Sequence, residues 1–153
     1  MIGMQVANVR KGVGTSWIEV EIPLQLSVDE VALIWGISLN VELGGTAHFR
    51  CYYEKKSVVG GTVSISESRY FENNPYVFWR SAYEPTYQTY GAWDWYLRDQ
   101  VWFRPDPIIV VRSPRIVAIS GGVGGTTLYS SVYYTKKQVS RKELNKLLVK
   151  QHA

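Results

Sequence analysis

Alternating apolar and polar residues mark two stretches in the first third of the chain. Residues 17–22 read WIEVEI, with Ile18, Val20 and Ile22 at every second position, and residues 37–43 read ISLNVEL with the same spacing. A period of two places the apolar side chains on one face of a strand, as in antiparallel strands that have one buried face. The pattern therefore predicts two half-buried strands.

Further stretches rich in β-branched and aromatic residues are also predicted as strands, at residues 47–53, 62–66, 76–83, 93–103, 108–111, 116–119 and 126–135. Turn signals separate several of them, namely GG at 44–45 and 60–61, ENNP at 72–75, RPDP at 104–107 and RSPR at 112–115. Eight or nine short strands in one chain of 153 residues predict an all-β domain, either an antiparallel sandwich or a barrel.

Two positions carry the sequence signature of a helix start. Ser27 with Glu30 predicts a helical turn after the first strong strand, and Ser140 with Glu143 opens a helix over 140–150. In that helix an apolar and a basic stripe recur at helical spacing, formed by Leu144, Leu147 and Leu148 and by Lys142, Lys146 and Lys150. The chain is thus interpreted as a β-sandwich domain at 1–139 and a basic amphipathic helix at 140–153.

The excess positive charge of the chain lies almost entirely at its C-terminus. Residues 136–153 contain six basic residues and one acidic residue, whereas the remainder contains eleven basic and twelve acidic residues, and the net charge is +4. Such a segment binds an anionic partner by releasing counterions, or it is only the solvated face of a helix. A helix of this length is marginal by itself, so its leucines are expected to bury against the body or a neighbouring subunit.

The composition is that of a soluble globular domain, with 46% apolar and 20% charged residues. No apolar run is long enough for a transmembrane helix, and the start MIGMQVANVRKGVG lacks the apolar core of a signal peptide. Cys51 is the single cysteine, which excludes an intrachain disulfide, and two histidines are too few for a zinc or copper site. We therefore expect no metal and no other cofactor.

The stretch GGVGGTT at residues 121–127 has the glycine content of a phosphate-binding loop. A P-loop requires a lysine after the glycines and then a helix, but the residues that follow, LYSSVYYT, predict a strand. A Rossmann loop fails for want of the same helix. The glycines are instead interpreted as a hairpin that joins the strands at 116–119 and 128–135.

The candidates for catalysis are few. His48 and Cys51 are three residues apart in a predicted strand, so their side chains point to opposite faces, which does not favour a nucleophile–base pair. Glu19 and Glu21 share a strand face about 7 Å apart, which suits a pair of glycosidase carboxylates, but such pairs are also common on exposed strands. The remaining candidates for an acid and a base are the carboxylates Asp94 and Asp99. We expect the protein not to be an enzyme.

Aromatic residues concentrate in one segment, with eleven of the twenty-one between Tyr76 and Phe103. Trp93 and Trp95 share one face of a predicted strand there. Tyrosine and tryptophan combine a large apolar area with a polar group, which suits subunit interfaces and also sugar-binding platforms. Trp93 and Trp95 are therefore candidates for a subunit interface and, in the alternative, for a carbohydrate- or receptor-binding site.

Two stretches resemble the single jelly-roll capsid proteins of small icosahedral viruses: TSWIEVEIPLQLSVDEVALIWGISLNVEL near the start and VAISGGVGGTTLYSSVYYTKKQVSRKELNKLL near the end. The resemblance lies in the layout, a short N-terminal segment before about eight strands with long aromatic loops and a charged terminal segment. It implies an eight-stranded jelly roll, a structural role in a virion assembled in the host cytoplasm, and pentamers or hexamers of the chain, with a second capsid protein as a further partner.

Many such proteins carry a basic arm at the N-terminus, where this chain has only Arg10 and Lys11. The basic segment of this chain is C-terminal instead. If the leucines of the helix bury at the inner surface of a shell, we expect Lys142, Lys146 and Lys150 to face nucleic acid or an internal membrane. The three leucines are expected to dock on a neighbouring subunit. Periodicity does not reveal which strands pair, so the sequence leaves both a jelly roll and an up-and-down barrel open.

Overall fold

The computed structural model describes residues 3–42, 48–55, 76–83, 96–121 and 125–150. These residues form eight strands and one helix: β1 (Gln5–Val13), β2 (Ile18–Glu21), β3 (Glu30–Glu42), β4 (His48–Glu54), β5 (Val77–Tyr83), β6 (Tyr96–Val110), β7 (Arg115–Gly121), β8 (Thr126–Gln138) and α1 (Arg141–Lys150). The predicted strand at 62–66 and part of the one at 93–103 lie outside the described residues.

The strands form two four-stranded antiparallel sheets. The first sheet has the order β1-β8-β3-β6 and the second has the order β2-β7-β4-β5. The pairing is nested, since β1 pairs with β8, β2 with β7, β3 with β6 and β4 with β5. The pairs β3–β8 and β4–β7 complete the two sheets. The prediction of an antiparallel all-β protein with a short C-terminal helix is confirmed at this level.

The core lies between the inner faces of the two sheets, as the alternation predicted. Ile37, Leu39 and Val41 of β3 are at most 1% exposed, and Leu128 and Val132 of β8 are fully buried beside them. At one side of the core, ring contacts join the second sheet to β6 in a cluster of Tyr53, Phe78, Trp79 and Trp102. Aromatic side chains bury large areas, so this cluster is a major contact between the sheets.

A buried hydrogen bond also joins the two sheets. The hydroxyl oxygens of Tyr53 in β4 and Ser130 in β8 are 2.6 Å apart, and Ser130 donates its own proton to the carbonyl oxygen of Ser38. Because a serine hydroxyl has one proton, Tyr53 is the donor to Ser130. Burial, together with the nearby Cys51, raises the pKa of Tyr53 well above its usual value, so the phenol keeps this proton.

Several predicted boundaries were wrong, each because tertiary contacts override local signals. β1 was not predicted, since Lys11 interrupts its short apolar series, yet it pairs with β8 along its whole length. β3 begins at Glu30, whereas the pattern predicted a start at Ile37, because a β-bulge between Ile34 and Gly36 interrupts the alternation along the strand. The predicted turn at 104–107 lies within β6, where a register shift against β3 takes up the extra residues.

The predicted hairpin at residues 121–127 is also wrong. β7 and β8 belong to different sheets, so the glycine-rich connection crosses from one sheet to the other. At the two ends of this connection, the hydroxyls of Ser120 in β7 and Thr126 in β8 are 2.8 Å apart and buried. Residues 122–124 lie outside the described residues.

The predicted helical turn at residues 27–30 is a single turn that leads into a strand. The Glu30 carboxylate accepts a hydrogen bond from the Ser27 amide (2.7 Å), as a capping box requires. The same backbone hydrogen bond lowers the pKa of Glu30. Asp29 has a φ of 60°, a left-handed conformation that ends any helix, and the chain continues directly into β3.

Candidate functional site

The helix α1 is tied to the turn before β3 by its first residues. Ser140 accepts a hydrogen bond from the Glu143 amide (3.1 Å), so the predicted N-cap is present. The Val139 amide donates to the Asp29 carbonyl oxygen (2.9 Å), and Arg141 pairs with the Asp29 carboxylate (3.0 Å). Asp29 therefore receives a contact from each side of the Ser140 cap, which joins the start of the helix to this turn.

The predicted leucines lie on the side of α1 that faces the body of the same chain. Leu144 and Leu148 line a crevice of about 390 Å³ together with Leu24, Leu26 and Val111. Leu147 is half-buried as well, but no residue of the helix is fully buried. The helix thus packs loosely on the body of its own chain, and part of the surface of its three leucines stays accessible to a second partner.

The predicted lysines of α1 are all exposed. Lys142 and Lys146 share a shallow surface with Asn145 and Val149, and the Val149 side chain is 76% exposed. At the end of the helix Lys150 lies near two other cations, Lys55 after β4 and Arg104 in β6. Partial burial, and then the charges of Lys150 and Arg104, lower the pKa of Lys55. Positive charge from three elements therefore meets at this end of the molecule.

The predicted aromatic pair cannot be placed. Trp93 and Trp95 lie outside the described residues, as do Asp94 and the side chain of Asp99. Their roles at a subunit interface, in sugar binding or in acid–base catalysis stay predictions.

Glu19, one of the candidate carboxylates, belongs to a buried ionic network on the outer face of the second sheet. The Arg115 guanidinium contacts Glu54 through Nε (2.8 Å) and Nη2 (2.6 Å), and its Nη1 lies 2.7 Å from the Glu19 carboxylate. The side chains of Arg115, Glu54 and Glu19 are 4%, 0% and 13% exposed. One guanidinium thus holds two carboxylates, which is the arrangement of a structural clamp.

His48 and Cys51 lie on opposite faces of β4, as predicted from their spacing. Cys51 is fully buried in the core, while His48 is exposed next to the end of β7. Burial raises the pKa of the Cys51 thiol, which keeps it protonated and poorly nucleophilic.

The outer face of the first sheet carries a set of aromatic and polar side chains that the sequence reasoning missed. Three rows cross the strands at this face: Arg10, Tyr129 and Asn40; then Asn8, Ser131, Ser38 and Val101; then Val6, Tyr133, Gly36 and Phe103. Eight large hydrophobic side chains are exposed among the described residues, and five of them lie on this face: Val6, Val101, Phe103, Ile109 and Tyr129. Such clustering is typical of an interaction surface.

A depression of about 510 Å³ lies between these rows. We call it the Tyr129 depression; it is lined on the surface by Asn8, Arg10, Ser38, Asn40, Val101, Tyr129 and Ser131. The Arg10 guanidinium lies over the Tyr129 ring, 5.7 Å from its centre. Ser131 donates a hydrogen bond to the Asn8 side-chain oxygen (2.7 Å). The depression therefore combines one cation and one ring with a floor of hydroxyl and amide groups.

The row beyond the depression is held by a glycine. The Phe103 ring lies directly on the backbone of Gly36, in the space that a Cβ atom would need. Its centre is 5.6 Å from that of Tyr133. Nearby, the Trp35 indole donates a hydrogen bond to the Thr135 hydroxyl (3.0 Å). A glycine at the β-bulge thus lets an aromatic ring approach the backbone of the sheet closely.

No family model matches the sequence, and no curated protein or solved structure is significantly similar to it. Within the described residues, no three His, Cys, Asp or Glu side chains are grouped closely enough to hold a metal ion. The described helix is also too short and too polar to cross a membrane.

One signal in the sequence could have revealed the outer face. The residues of β8 between Leu128 and Tyr134 alternate, so Tyr129, Ser131 and Tyr133 point away from the core. The alternation thus predicts that these three residues of β8, two of them tyrosines, lie on an exposed face. The opposing Arg10 could not be found in this way, because its partner strand is 119 residues further on in the chain (Arg10 against Tyr129).

Proposed function

We propose that the protein is a jelly-roll subunit of a self-assembling shell, namely a coat protein of a viral capsid. The observation that carries the proposal is the nested strand pairing. A jelly roll consists of eight strands in two sheets, wound as two Greek keys. Pairing the first strand with the last, the second with the seventh, the third with the sixth and the fourth with the fifth is what this winding produces.

Jelly rolls also occur in lectins and cupins, so fold alone does not decide the function. A cupin site requires several clustered metal ligands, and the described part of the chain groups no three such side chains. For an acid–base enzyme, the engagement of Glu19 by Arg115 favours a structural role of this carboxylate over a catalytic one. These two points favour a structural or binding protein over an enzyme.

The surfaces favour assembly. The outer face of the first sheet exposes five large hydrophobic side chains, and α1 presents Val149 to the exterior while its leucines are only half-buried. Exposed apolar surface of this kind is stabilised when another macromolecule covers it, and α1 is the surface that this proposal assigns to a neighbouring subunit. In this proposal the chain functions in the virion, with copies of itself as its main partners and with α1 contacting a neighbour, nucleic acid or a membrane.

The test is the size of the purified protein, measured by light scattering at low and high salt, with negative-stain electron microscopy of any large fraction. We expect closed particles or uniform rings of five or six subunits. Deletion of residues 140–153 is expected to impair assembly, since it removes the apolar stripe of α1. The matched control replaces Lys142, Lys146 and Lys150 by glutamine, which removes the charge and keeps the leucines.

A stable monomer or dimer under all of these conditions would contradict the proposal. Weight would then move to a carbohydrate- or receptor-binding sandwich, and a glycan array with Trp93→Ala and Trp95→Ala would follow. Normal particles from the chain lacking 140–153 would refute the role of α1 while leaving the shell itself in place.

A further inference from the structure

We propose that the Tyr129 depression binds single-stranded nucleic acid, with bases stacked on the exposed rings and a phosphate paired with Arg10. The inference rests on the proposed function, since it names the partner of one face of a shell subunit. It adds a base-stacking contact on the surface of a sheet to the charge contact that the sequence assigns to the basic helix.

The rings are spaced to hold bases. Tyr129 and Tyr133 point outward from the same strand, four residues and therefore about 13 Å apart. The short side chains of Ser38 and Ser131 lie between the two rings; Tyr129 lines the depression, and Tyr133 lies in the row beyond it. Phe103 widens the far end through its contact with Tyr133. Bases stack on such exposed rings whatever their sequence, and a four-stranded sheet with outward aromatics is a known platform for two or three bases.

Charge favours a ligand with phosphates. Arg10 sits at the rim of the depression over Tyr129, and none of the described residues that line it is acidic. A guanidinium forms its strongest hydrogen bonds with carboxylates and phosphates, so a neutral glycan would leave this charge unused.

The polar floor favours bases over an apolar protein surface. Ser131 donates to the Asn8 side-chain oxygen, which leaves the amide nitrogen of Asn8 on the other side as a donor. Covering such groups with apolar side chains would cost the loss of their hydrogen bonds to water. Base edges carry donors and acceptors that replace those hydrogen bonds.

The test is fluorescence anisotropy of the full chain with a labelled oligothymidylate of about twelve nucleotides, long enough to span one binding site of this kind. We expect Tyr129→Leu to raise the Kd about tenfold, because loss of one stacked base has an effect of this size. Tyr129→Phe keeps the ring and is expected to bind like the original chain. An abasic oligomer of the same length should bind about tenfold more weakly, since it keeps the phosphates and lacks the bases.

The matched control again replaces Lys142, Lys146 and Lys150 by glutamine. This variant should reduce the salt dependence of binding while keeping the preference for the oligomer with bases. Equal binding of the abasic oligomer, or an unchanged Kd for Tyr129→Leu, would overturn the inference and assign any binding to the helix charges. Saturable binding of a neutral oligosaccharide that Tyr129→Leu abolishes would overturn it in favour of a glycan site.

Failure of the shell proposal would look different. A chain that stays monomeric in light scattering but shows the Tyr129-dependent, base-dependent binding would keep this inference and remove the proposed function. Particles whose subunits bind without any dependence on Tyr129 would do the reverse.

Discussion

Arg115 is the residue whose replacement should damage this fold most clearly. Its guanidinium is 4% exposed and contacts two carboxylates, one of which, Glu54, is completely buried. Arg115→Met keeps much of the side-chain volume and removes the charge. It removes the guanidinium that contacts the buried Glu54 carboxylate, and burial denies this charge the solvation that it would have in water.

The size of the effect follows from the burial of the pair. Removing one partner of a buried ion pair costs about 3–5 kcal/mol, mostly because the other charge stays buried and unpaired. Domains are typically stable by roughly 5–15 kcal/mol, so this loss takes the chain near its folding threshold. The double variant Arg115→Met with Glu54→Leu removes both charges of the fully buried pair, and replacing such a pair by apolar groups is often neutral. Glu19, which is 13% exposed, also loses its contact with the guanidinium in this variant. We therefore expect the double variant to be more stable than Arg115→Met alone.

The assay is equilibrium unfolding in urea, followed by tryptophan fluorescence and circular dichroism at low protein concentration. Arg141→Met is the matched control, because Arg141 pairs with Asp29 at the surface with its side chain 66% exposed. This control should lose less than about 1 kcal/mol, since exposed pairs contribute little. Equal losses of stability for Arg115→Met and Arg141→Met would refute the reasoning. So would a double variant whose loss equals the losses of Arg115→Met and Glu54→Leu added together.

Three further predictions concern the core and the outer face. Ser130→Ala leaves the buried Tyr53 hydroxyl without its acceptor and should cost about 1–3 kcal/mol, more than Tyr53→Phe, in the same urea assay; the reverse order would contradict the assigned donor. Gly36→Ala places a methyl group in the space of the Phe103 ring and should lower stability by about 1–3 kcal/mol. Phe103→Ala should cancel most of this loss. If Gly36→Ala costs as much in the Phe103→Ala variant as in the original chain, the contact is not the cause. Because burial raises the pKa of Cys51, its thiol stays protonated in the native protein and should react with a disulfide reagent at mildly alkaline pH only as fast as the chain unfolds. The chain in concentrated urea should react at once. Prompt reaction of the native chain would show an accessible thiolate and contradict this prediction.

The sequence predicted those elements whose own side chains alternate clearly or follow a helical period. The alternation around Ile37, Leu39 and Val41 placed these residues in the core, and each is almost completely buried. The Ser140 cap predicted the start of α1 to within one residue. β1 was not predicted because its apolar residues do not alternate regularly. It lies at the edge of the first sheet and is a strand through its pairing with β8.

The candidate site was the less predictable part. The leucines and lysines of α1 were readable because they share one short helix. The Tyr129 depression was not, since it draws side chains from β1, β3, β6 and β8, and its residues become neighbours only through the pairing of these strands.

By itself the sequence determined the strands that alternate clearly, the apolar side of those strands and where the last helix begins, because these properties depend on neighbours a few residues apart. Only the tertiary structure decided which strands pair, which connection crosses between the sheets and which charges meet. The backbone hydrogen bonds that join two strands are nearly the same for every residue, so they carry little information about the partner. Glu54 and Arg115, 61 residues apart in the chain, are joined only when two strands of the second sheet lie side by side.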